Sequence, residues 1–235
     1  MLSNLLSLLF PDRCPACDSI TTDLGLCSRC AVSLYATAPA CPVCALPGHA
    51  AVTCSRCRLH PPPWRAAVAP YRYGGELATA IRRFKWGADK ASGRPELARP
   101  LGSLLAPALA QVSVQVDVII PVPLHPSRVR ERGFSQALAL ALAARGLAGL
   151  QAPMAPGLLA RKRPTAIQAG LGRSARERNV AGAFAAPDPA RVAGKRVLLI
   201  DDVITTGATA AACARTLRSA GAAEITVAAL ARAEL

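Results

Sequence analysis

Eight cysteines in the N-terminal quarter of the chain restrict its fold more than any other feature. They form four Cys-x2-Cys pairs, and the spacing of the first four cysteines is repeated by the second four: Cys14, Cys17, Cys27, Cys30, Cys41, Cys44, Cys54 and Cys57. One such pair can chelate an ion from a single tight turn, and two pairs complete a tetrahedral zinc site. The sequence therefore predicts two structural zinc ions. The pairs can be grouped within each repeat or across the two repeats.

Disulfides are the alternative use of these cysteines. The segment Met1–Phe10 has no basic start and no small-residue cleavage site, so it does not resemble a secretory signal and is predicted to be a short amphipathic helix. Thiols stay reduced inside cells, which favours zinc. His49 and His60 lie nearby, but eight thiolates leave no need for them as ligands. A closed four-thiolate site has no open position, so these zinc ions are expected to hold the fold only. The remaining cysteine, Cys213, is expected to be a buried helix residue.

Charge and hydropathy limit the class of protein. The chain is 52% hydrophobic and carries a formal net charge of +14. The apolar content excludes a disordered chain, and the positive charge favours anionic partners such as phosphates, nucleic acid or an acidic protein. No apolar stretch reaches the roughly 18 residues that a membrane-spanning helix needs. The sequence therefore predicts a cytoplasmic protein with no membrane insertion.

A second motif carries the chemistry. Residues 197–209 read Val-Leu-Leu-Ile-Asp-Asp-Val-Ile-Thr-Thr-Gly-Ala-Thr. The apolar run predicts a buried parallel strand at 196–200, and the alanine-rich stretch that follows predicts a helix over 208–220. Asp201 and Asp202 would then stand at the carboxyl end of a strand, where open α/β sheets bind ligands. The turn after them would present backbone N–H groups at a helix N-terminus, which suits a phosphate.

This motif resembles the phosphoribosyl pyrophosphate (PRPP) signature of type I phosphoribosyltransferases at every position. The resemblance implies that Asp201 and Asp202 bind the ribose hydroxyls and are the catalytic candidates. It also implies magnesium bound with PRPP. The 5-phosphate would be held by the loop residues Thr205, Thr206, Gly207, Ala208 and Thr209. In the purine-salvage members of that family an acid stands at the position of Thr205, so a purine substrate is in doubt.

The stretch that follows a second predicted strand, at 116–122, resembles the ComF family, which is known for competence and DNA uptake. That family has Pro-Val-Pro-Leu, a basic loop and Arg-Glu-Arg-Gly-Phe-Asn-Gln-Ala, and this chain matches it over 121–124 and 130–137 with Ser135 in place of Asn. A helix is predicted from about 132 to 145. The family's later element is also present, as Gln168, Leu171, Arg176, Asn179 and Gly182–Phe184.

Three arginines in the basic loop are candidates for binding the pyrophosphate of PRPP, because guanidinium groups match phosphate oxygens: Arg128, Arg130 and Arg132. A second basic run begins at Arg161–Arg163 and continues with Arg173, Arg176 and Arg178. It is either a mobile loop at the active site or a solvated surface.

Together these patterns predict an α/β fold, a type I phosphoribosyltransferase-like parallel sheet with an N-terminal double zinc-ribbon module. A further strand is expected near 224–230. Three parts are predicted: 1–60 with a helix and the double zinc ribbon, 61–113 as a bridging strand/helix segment, and 114–235 as the phosphoribosyltransferase-like domain.

The bridging segment concentrates aromatic residues among cations. Its aromatics are Trp64, Tyr71, Tyr73, Phe84 and Trp86. A strand is predicted over 64–73 and a helix over 76–86. Aromatics interleaved with cations suit single-stranded nucleic acid, whereas packing in a small core over the sheet is the other interpretation.

Two functions stay open from the sequence. The ComF resemblance implies a PRPP-binding protein that handles single-stranded DNA during competence, directly or through a helicase-type protein partner. The alternative is an active phosphoribosyltransferase in nucleotide salvage, which would join PRPP to a nitrogenous base and release pyrophosphate.

Overall fold

The structure is a computed structural model that describes residues 12–22, 24–50, 52–87, 92–112, 115–164 and 173–234. The helices are α1 (Ser28–Ala31), α2 (Ser55–Leu59), α3 (Gly75–Trp86), α4 (Ala98–Ala110), α5 (Pro126–Arg132), α6 (Gln136–Leu147), α7 (Arg173–Val180) and α8 (Ala208–Ser219). The strands are β1 (Ala66–Val68), β2 (Tyr71–Arg72), β3 (Val118–Pro121), β4 (Ala160–Arg161), β5 (Phe184–Ala185), β6 (Arg196–Ile204) and β7 (Glu224–Arg232).

Some predictions lie outside the described residues. These are the N-terminal amphipathic helix, Gln168 and Leu171 of the ComF pattern, and the side chains of Arg173 and Arg176. Within the described ranges, no helix has the length and apolar character needed to cross a bilayer.

The central sheet has five strands and is parallel throughout. Its order is β1-β7-β6-β3, and β2 also pairs with β7. In the middle of the sheet Ile120 lies beside Leu199, which in turn lies beside Val227. All three are fully buried, as expected for a parallel sheet that is covered on both faces and therefore built from continuous apolar runs. The predicted parallel α/β sheet is confirmed.

Two apolar clusters cover the two faces of the sheet. Leu199 packs on one face with Cys213 and Leu217 of α8. Leu198 packs on the other face with residues of α3, α4 and α6, among them Leu101 of α4. Successive residues of β6 thus enter different cores, because side chains alternate across a strand. Cys213 is fully buried in its helix, as predicted.

The strand that carries the two acids is longer than predicted. It was expected to end at residue 200, but β6 remains paired with β7 up to Ile204 and Arg232. Asp201 and Asp202 are therefore held inside a strand and not in the loop after it. Strand β3 is shorter than the expected 116–122, and β7 extends two residues beyond 230.

The predicted helix over 132–145 is wrong at its start, because two helices occupy this region. Helix α5 begins at Pro126, whose missing N–H suits the first helical position. The side chain of His125 caps it by accepting a hydrogen bond from the Ser127 amide. Gly133 ends α5 in the left-handed conformation with φ of 81°, and α6 starts at Gln136. The basic loop of the sequence interpretation is thus mostly helix.

The bridging segment completes one edge of the sheet. The strand predicted over 64–73 is two short strands, β1 and β2, and the predicted helix is α3. Trp64 and Phe84 are buried, which supports the core interpretation for these two aromatics. Trp86 is only half-buried. The division of the chain into three parts stays a prediction.

Candidate functional site

The eight cysteines form two separate clusters. The Sγ atoms of Cys14, Cys17, Cys27 and Cys30 lie within 4.8 Å of one another, and so do those of Cys41, Cys44, Cys54 and Cys57. Each repeat therefore builds its own site, which settles the grouping. We call residues 14–30 the first ribbon and residues 41–57 the second ribbon. Four converging thiolates are the donor set that structural zinc prefers, so both clusters fit zinc.

Local structure repeats with the cysteines. In each ribbon the third cysteine immediately precedes a one-turn helix: Cys27 precedes α1 and Cys54 precedes α2. The fourth cysteine is on that helix and faces the first pair. His49 and His60 belong to neither cluster, in agreement with the sequence interpretation.

Asp201 and Asp202, the acid pair, lie in the last part of β6. Asp202 is 5% exposed, and its backbone N–H donates to Asp201 Oδ1 at 2.9 Å. Lys85 Nζ of α3 lies 2.6 Å from Asp202 Oδ2. Burial and the neighbouring Asp202 carboxylate raise the pKa of Asp201 to about 7, while the Lys85 ammonium acts in the opposite direction. Asp202 is thus buried and Asp201 partly buried, and the pair lies close to a cation and can accept hydrogen bonds.

A cavity of about 520 Å³ opens beside the acid pair. We call it the sheet-end cavity, because Val122 and Thr205, which directly follow β3 and β6, both line it. Its volume lies within the roughly 300–1,000 Å³ that is typical of small-molecule sites. Its charged lining residues are Arg82, Lys85, Arg128, Arg132, Arg161, Asp201 and Asp202. The excess of cations over acids suits a ligand with more than one anionic group.

Only two of the three pyrophosphate candidates line this cavity. Arg128 and Arg132 are four positions apart on α5 and share one face of the helix, whereas Arg130 is exposed and lies outside the cavity lining. The Arg132 guanidinium lies over the Trp86 ring, 3.9 Å from its centroid. Arg128 forms an ion pair with Glu131 at 2.6 Å. The helical geometry therefore separates Arg130 from its two neighbours.

Residues 205–209, which we call the 205–209 loop, run from the end of β6 into the first turn of α8. Thr205 and Thr209 line the sheet-end cavity. Thr206, Gly207 and Ala208 instead line a smaller cavity of about 230 Å³ behind the loop. Gly207 adopts a φ of 82°, in the left-handed region, directly before α8. The loop thus turns two threonines toward the acid pair at a helix N-terminus, where partial positive charge favours anions.

Sequence reasoning missed several residues of the cavity. In the sequence Lys85 is only one of the cations that lie among the aromatics of the bridging segment, and its pairing with Asp202 is a tertiary contact. Arg161 was named only as part of a basic run. Gln136 belongs to the ComF pattern but received no role. Its side chain is 5% exposed, and its Oε1 atom has no hydrogen-bond partner in the described structure. A buried acceptor of this kind, on a cavity wall, fits an N–H or O–H group of a ligand.

Comparison with known proteins supports both halves of the molecule. Residues 5–58 match a family model described as double zinc ribbon domain, and residues 141–234 match one described as phosphoribosyl transferase domain. Among solved structures, a glutamine phosphoribosylpyrophosphate amidotransferase from B. subtilis is similar with a TM-score of 0.40 and 25% identity, over 62% of this chain and 30% of that chain.

Two curated relatives resemble the chain over most of its length. DNA utilization protein YhgH of Escherichia coli (strain K12) is 34% identical over 86% of this chain and 88% of its own length. Competence protein F of Haemophilus influenzae is 34% identical over 89% of this chain and 91% of its own length. Because the similarity extends through both the zinc ribbons and the parallel sheet, the chain belongs to the ComF family, with these two proteins among its relatives.

Proposed function

We propose that the chain is a PRPP-binding protein of the ComF type, with the sheet-end cavity as its ligand site. The observation that carries this proposal is that the acid pair and the start of the 205–209 loop open onto the same cavity. In this proposal, hydrogen-bond acceptors for a sugar diol lie beside a helix N-terminus that suits a phosphate. A ribose 5-phosphate needs both features within one cavity.

Four side chains of the cavity then have roles toward the ribose 5-phosphate. Asp201 and Asp202 accept hydrogen bonds from the two ribose hydroxyls. Thr205 and Thr209, with the amides of the loop, bind the 5-phosphate. Magnesium bound with PRPP supplies further positive charge for the pyrophosphate oxygens.

The pyrophosphate lies toward the arginines of α5 in this proposal. The Nε atom of Arg132 is buried and has no hydrogen-bond partner within the described part of the chain. An N–H group left in this state fits an anionic ligand oxygen. Stacking on Trp86 holds the guanidinium in place before the ligand arrives.

Lys85 keeps the acid pair ready for the ribose. An ionised carboxylate accepts from a hydroxyl more strongly than a carboxylic acid does, whereas burial favours the protonated form. The Lys85 ammonium, 2.6 Å from Asp202, acts in the opposite direction and limits the rise in the pKa of Asp201 to about 7. At neutral pH a substantial fraction of Asp201 is therefore ionised and accepts hydrogen bonds.

The biological role that we propose is the handling of single-stranded DNA during competence, directly or with a helicase-type protein partner. The names of the relatives, DNA utilization protein and competence protein, support this role. So does the net charge of +14. Arg82 is exposed one helical turn before the half-buried Trp86, and Arg72 of β2 is a second exposed cation, which pairs with Glu234. Exposed cations and an aromatic ring are what a strand of nucleic acid requires.

One observation favours phosphoribosyl transfer as a second candidate. The unpartnered Gln136 Oε1 offers an acceptor for an N–H group of a base. Transfer would form a bond between the base nitrogen and C1 of the ribose and break the C1–O bond. Pyrophosphate would leave with the bonding electrons, and the proton of the base N–H would pass to the leaving pyrophosphate or to water. The cations of α5 would stabilise the charge that develops on that leaving group.

Calorimetric titration of PRPP with magnesium tests the ligand assignment. We expect the double variant Asp201→Asn, Asp202→Asn to bind at least about 100-fold more weakly than the wild-type protein, because it loses two charge-assisted hydrogen bonds. Asp117→Asn is the matched control, since Asp117 pairs with Arg196 at the opposite end of β6. Equal affinity of the double variant and the wild type would contradict the proposed site.

Two further assays separate the functions. Pyrophosphate release from PRPP in the presence of a nucleobase panel would establish phosphoribosyl transfer. No release with any base would exclude that function. For DNA, the variant Arg72→Gln, Arg82→Gln should weaken single-strand binding and flatten its salt dependence, because phosphate contacts release counterions. An affinity that does not vary with salt would contradict direct DNA binding.

A further inference from the structure

Arg232 connects the second ribbon to the 205–209 loop. Arg232 is the last residue of β7 and is 2% exposed. On one side Nε donates to the carbonyl of Cys44, a zinc-ligand candidate, at 2.9 Å. On the other side Nη1 donates to the carbonyl of Ile204 at 3.1 Å and to that of Thr205. One buried guanidinium thus fixes the start of the loop relative to the second ribbon.

Two further contacts join the same ribbon to the next residues of the loop. Arg56, between the last two cysteines, donates from Nη2 to the carbonyl of Thr206 at 3.0 Å. The Trp64 ring packs on Gly207, where an added Cβ would lie 3.3 Å from Cη2. Trp64 Nε1 in turn donates to the carbonyl of Val43 in the second ribbon at 2.6 Å. Three successive loop residues are therefore held by Arg56 of the second ribbon and by Arg232 and Trp64, which both donate to carbonyls of that ribbon.

Charge balance ties these contacts to the zinc centre. Within the described residues, neither Arg56 nor Arg232 forms an ion pair with a carboxylate. Both line the smaller cavity of about 230 Å³ behind the 205–209 loop, together with Cys44 and Cys57. A four-thiolate zinc site carries a net charge of about −2. The zinc-loaded second ribbon thereby supplies the anionic neighbour that two partly or fully buried guanidinium groups need.

The first ribbon makes a different set of contacts. Arg83 of α3 donates to the Ala16 carbonyl at 2.7 Å and pairs with Asp18. Arg94 also pairs with Asp18, at 2.8 Å. In the part of the chain that the structure describes, no hydrogen bond joins the first ribbon to the 205–209 loop. The two similar ribbons thus support different walls of the sheet-end cavity.

We propose that the second ribbon is a structural part of the phosphate-binding site, and that Arg56 and Arg232 are positioning residues that fix the 205–209 loop for its ligand. The identity of that ligand rests on the proposed function, whereas the fixing of the loop does not. A ribbon that served only to cap the sheet would have no reason to donate Arg56 to a carbonyl of this loop, or to accept from the Arg232 guanidinium that donates to the neighbouring carbonyl. Because a carbonyl and the following N–H belong to one rigid peptide plane, holding these carbonyls also sets the direction of the next N–H groups in the loop.

Hydrogen exchange of the full-length, zinc-loaded protein tests the fixing of the loop without any ligand. We expect Arg232→Met and Arg56→Met to speed exchange of the 205–209 amides at least about tenfold, because each variant removes charge-assisted hydrogen bonds. Exchange in β3 should stay unchanged. Arg196→Met is the control, since Arg196 lies at the other end of β6 and pairs with Asp117. Unchanged exchange in the loop, or an equal rise in β3, would overturn the proposal.

The second test measures the PRPP affinity of these methionine variants and of the corresponding lysine variants. We expect the two methionine variants to bind PRPP at least about tenfold more weakly at an unchanged zinc content. Arg56→Lys should recover most of the affinity, because a single donor to Thr206 suffices. Arg232→Lys should not, because one ammonium cannot reach the Cys44 and Thr205 carbonyls together. Full recovery by Arg232→Lys would overturn the positioning role.

The two failures are distinguishable. If the wild-type protein does not bind PRPP, the proposed function fails, and the exchange experiment still decides whether the second ribbon fixes the loop. If PRPP binds but neither variant alters exchange or affinity, the proposed function stands and the positioning role fails.

Discussion

Replacing Lys85 with methionine tests the electrostatics of the acid pair. The Lys85–Asp202 pair is short, at 2.6 Å, and its side chains are 23% and 7% exposed. Removing one partner of a buried pair costs about 3–5 kcal/mol, whereas an exposed pair contributes at most about 1 kcal/mol. Because Lys85 retains some contact with solvent, we expect Lys85→Met to lower the free energy of unfolding by about 3 kcal/mol at pH 8, at the low end of the buried range.

The size of this loss should depend on pH. The folded state raises the pKa of Asp201 from its ordinary value of 3.8 to about 7. The folded protein then binds more protons than the unfolded chain between these values, so the contribution of Asp201 is fully favourable below 3.8 and is lost as the pH rises through 7. Without Lys85 this pKa rises further, and a proton can replace the missing ammonium charge. Lys85→Met should therefore lower the free energy of unfolding by less at pH 6 than at pH 8.

Urea unfolding of the zinc-loaded proteins at both pH values measures the effect. A double-mutant cycle with Asp202→Asn isolates the pair, and we expect a coupling free energy well above 1 kcal/mol at pH 8, more than an exposed ion pair provides. Lys162→Met is the control, because Lys162 is exposed. A coupling below about 0.5 kcal/mol, as for a surface pair, would refute this account of the acid pair.

Three other predictions concern packing, metal and ligand. At Gly102 of α4 an added Cβ would lie 2.8 Å from Ala143 Cβ and 3.0 Å from the Ala144 nitrogen. Gly102→Ala should therefore lower the melting temperature, while Gly146→Ala, with nothing within 4 Å, should raise it. A mercurial reagent should release two zinc ions per chain, one from each cysteine cluster, and a colorimetric chelator would count them. Trp86→Ala removes the ring under Arg132 and should weaken PRPP binding about threefold to tenfold in calorimetry, whereas Trp86→Phe should retain most of the affinity.

The features that the sequence predicted well depend on neighbouring residues. The Cys-x2-Cys pairs bind metal through a single turn, so the number of clusters follows from the spacing alone. Leu198 and Leu199 are buried on opposite faces of the sheet, and an apolar run without alternation indicates such a strand. The sequence also shows a glycine before α8, as the left-handed turn at Gly207 requires.

The features that the sequence predicted poorly depend on residues that are distant along the chain. Strand β6 extends past its apolar run because Ile204 pairs with Arg232, and no local pattern reports that pairing. The role of Lys85 likewise depends on a contact between α3 and β6. The separation of Arg130 from Arg128 and Arg132 has a local cause. Pro126 and Gly133 mark the start and end of a short helix in the sequence, and this signal separates Arg130 from its neighbours.

The position of β7 between β1 and β6 has a consequence for how the chain folds during synthesis. Cys44 and Arg232, which are hydrogen-bonded, are 188 residues apart, so at about 5–20 residues per second the ribosome needs on the order of 10 s or more to join them. The second ribbon can bind zinc from local sequence alone, long before the strand it docks on has been made. A nascent chain stalled before residue 224 would hold both metal clusters but lack a central strand of its sheet. Ribosome-stalled chains of increasing length should therefore acquire zinc early and protease resistance late.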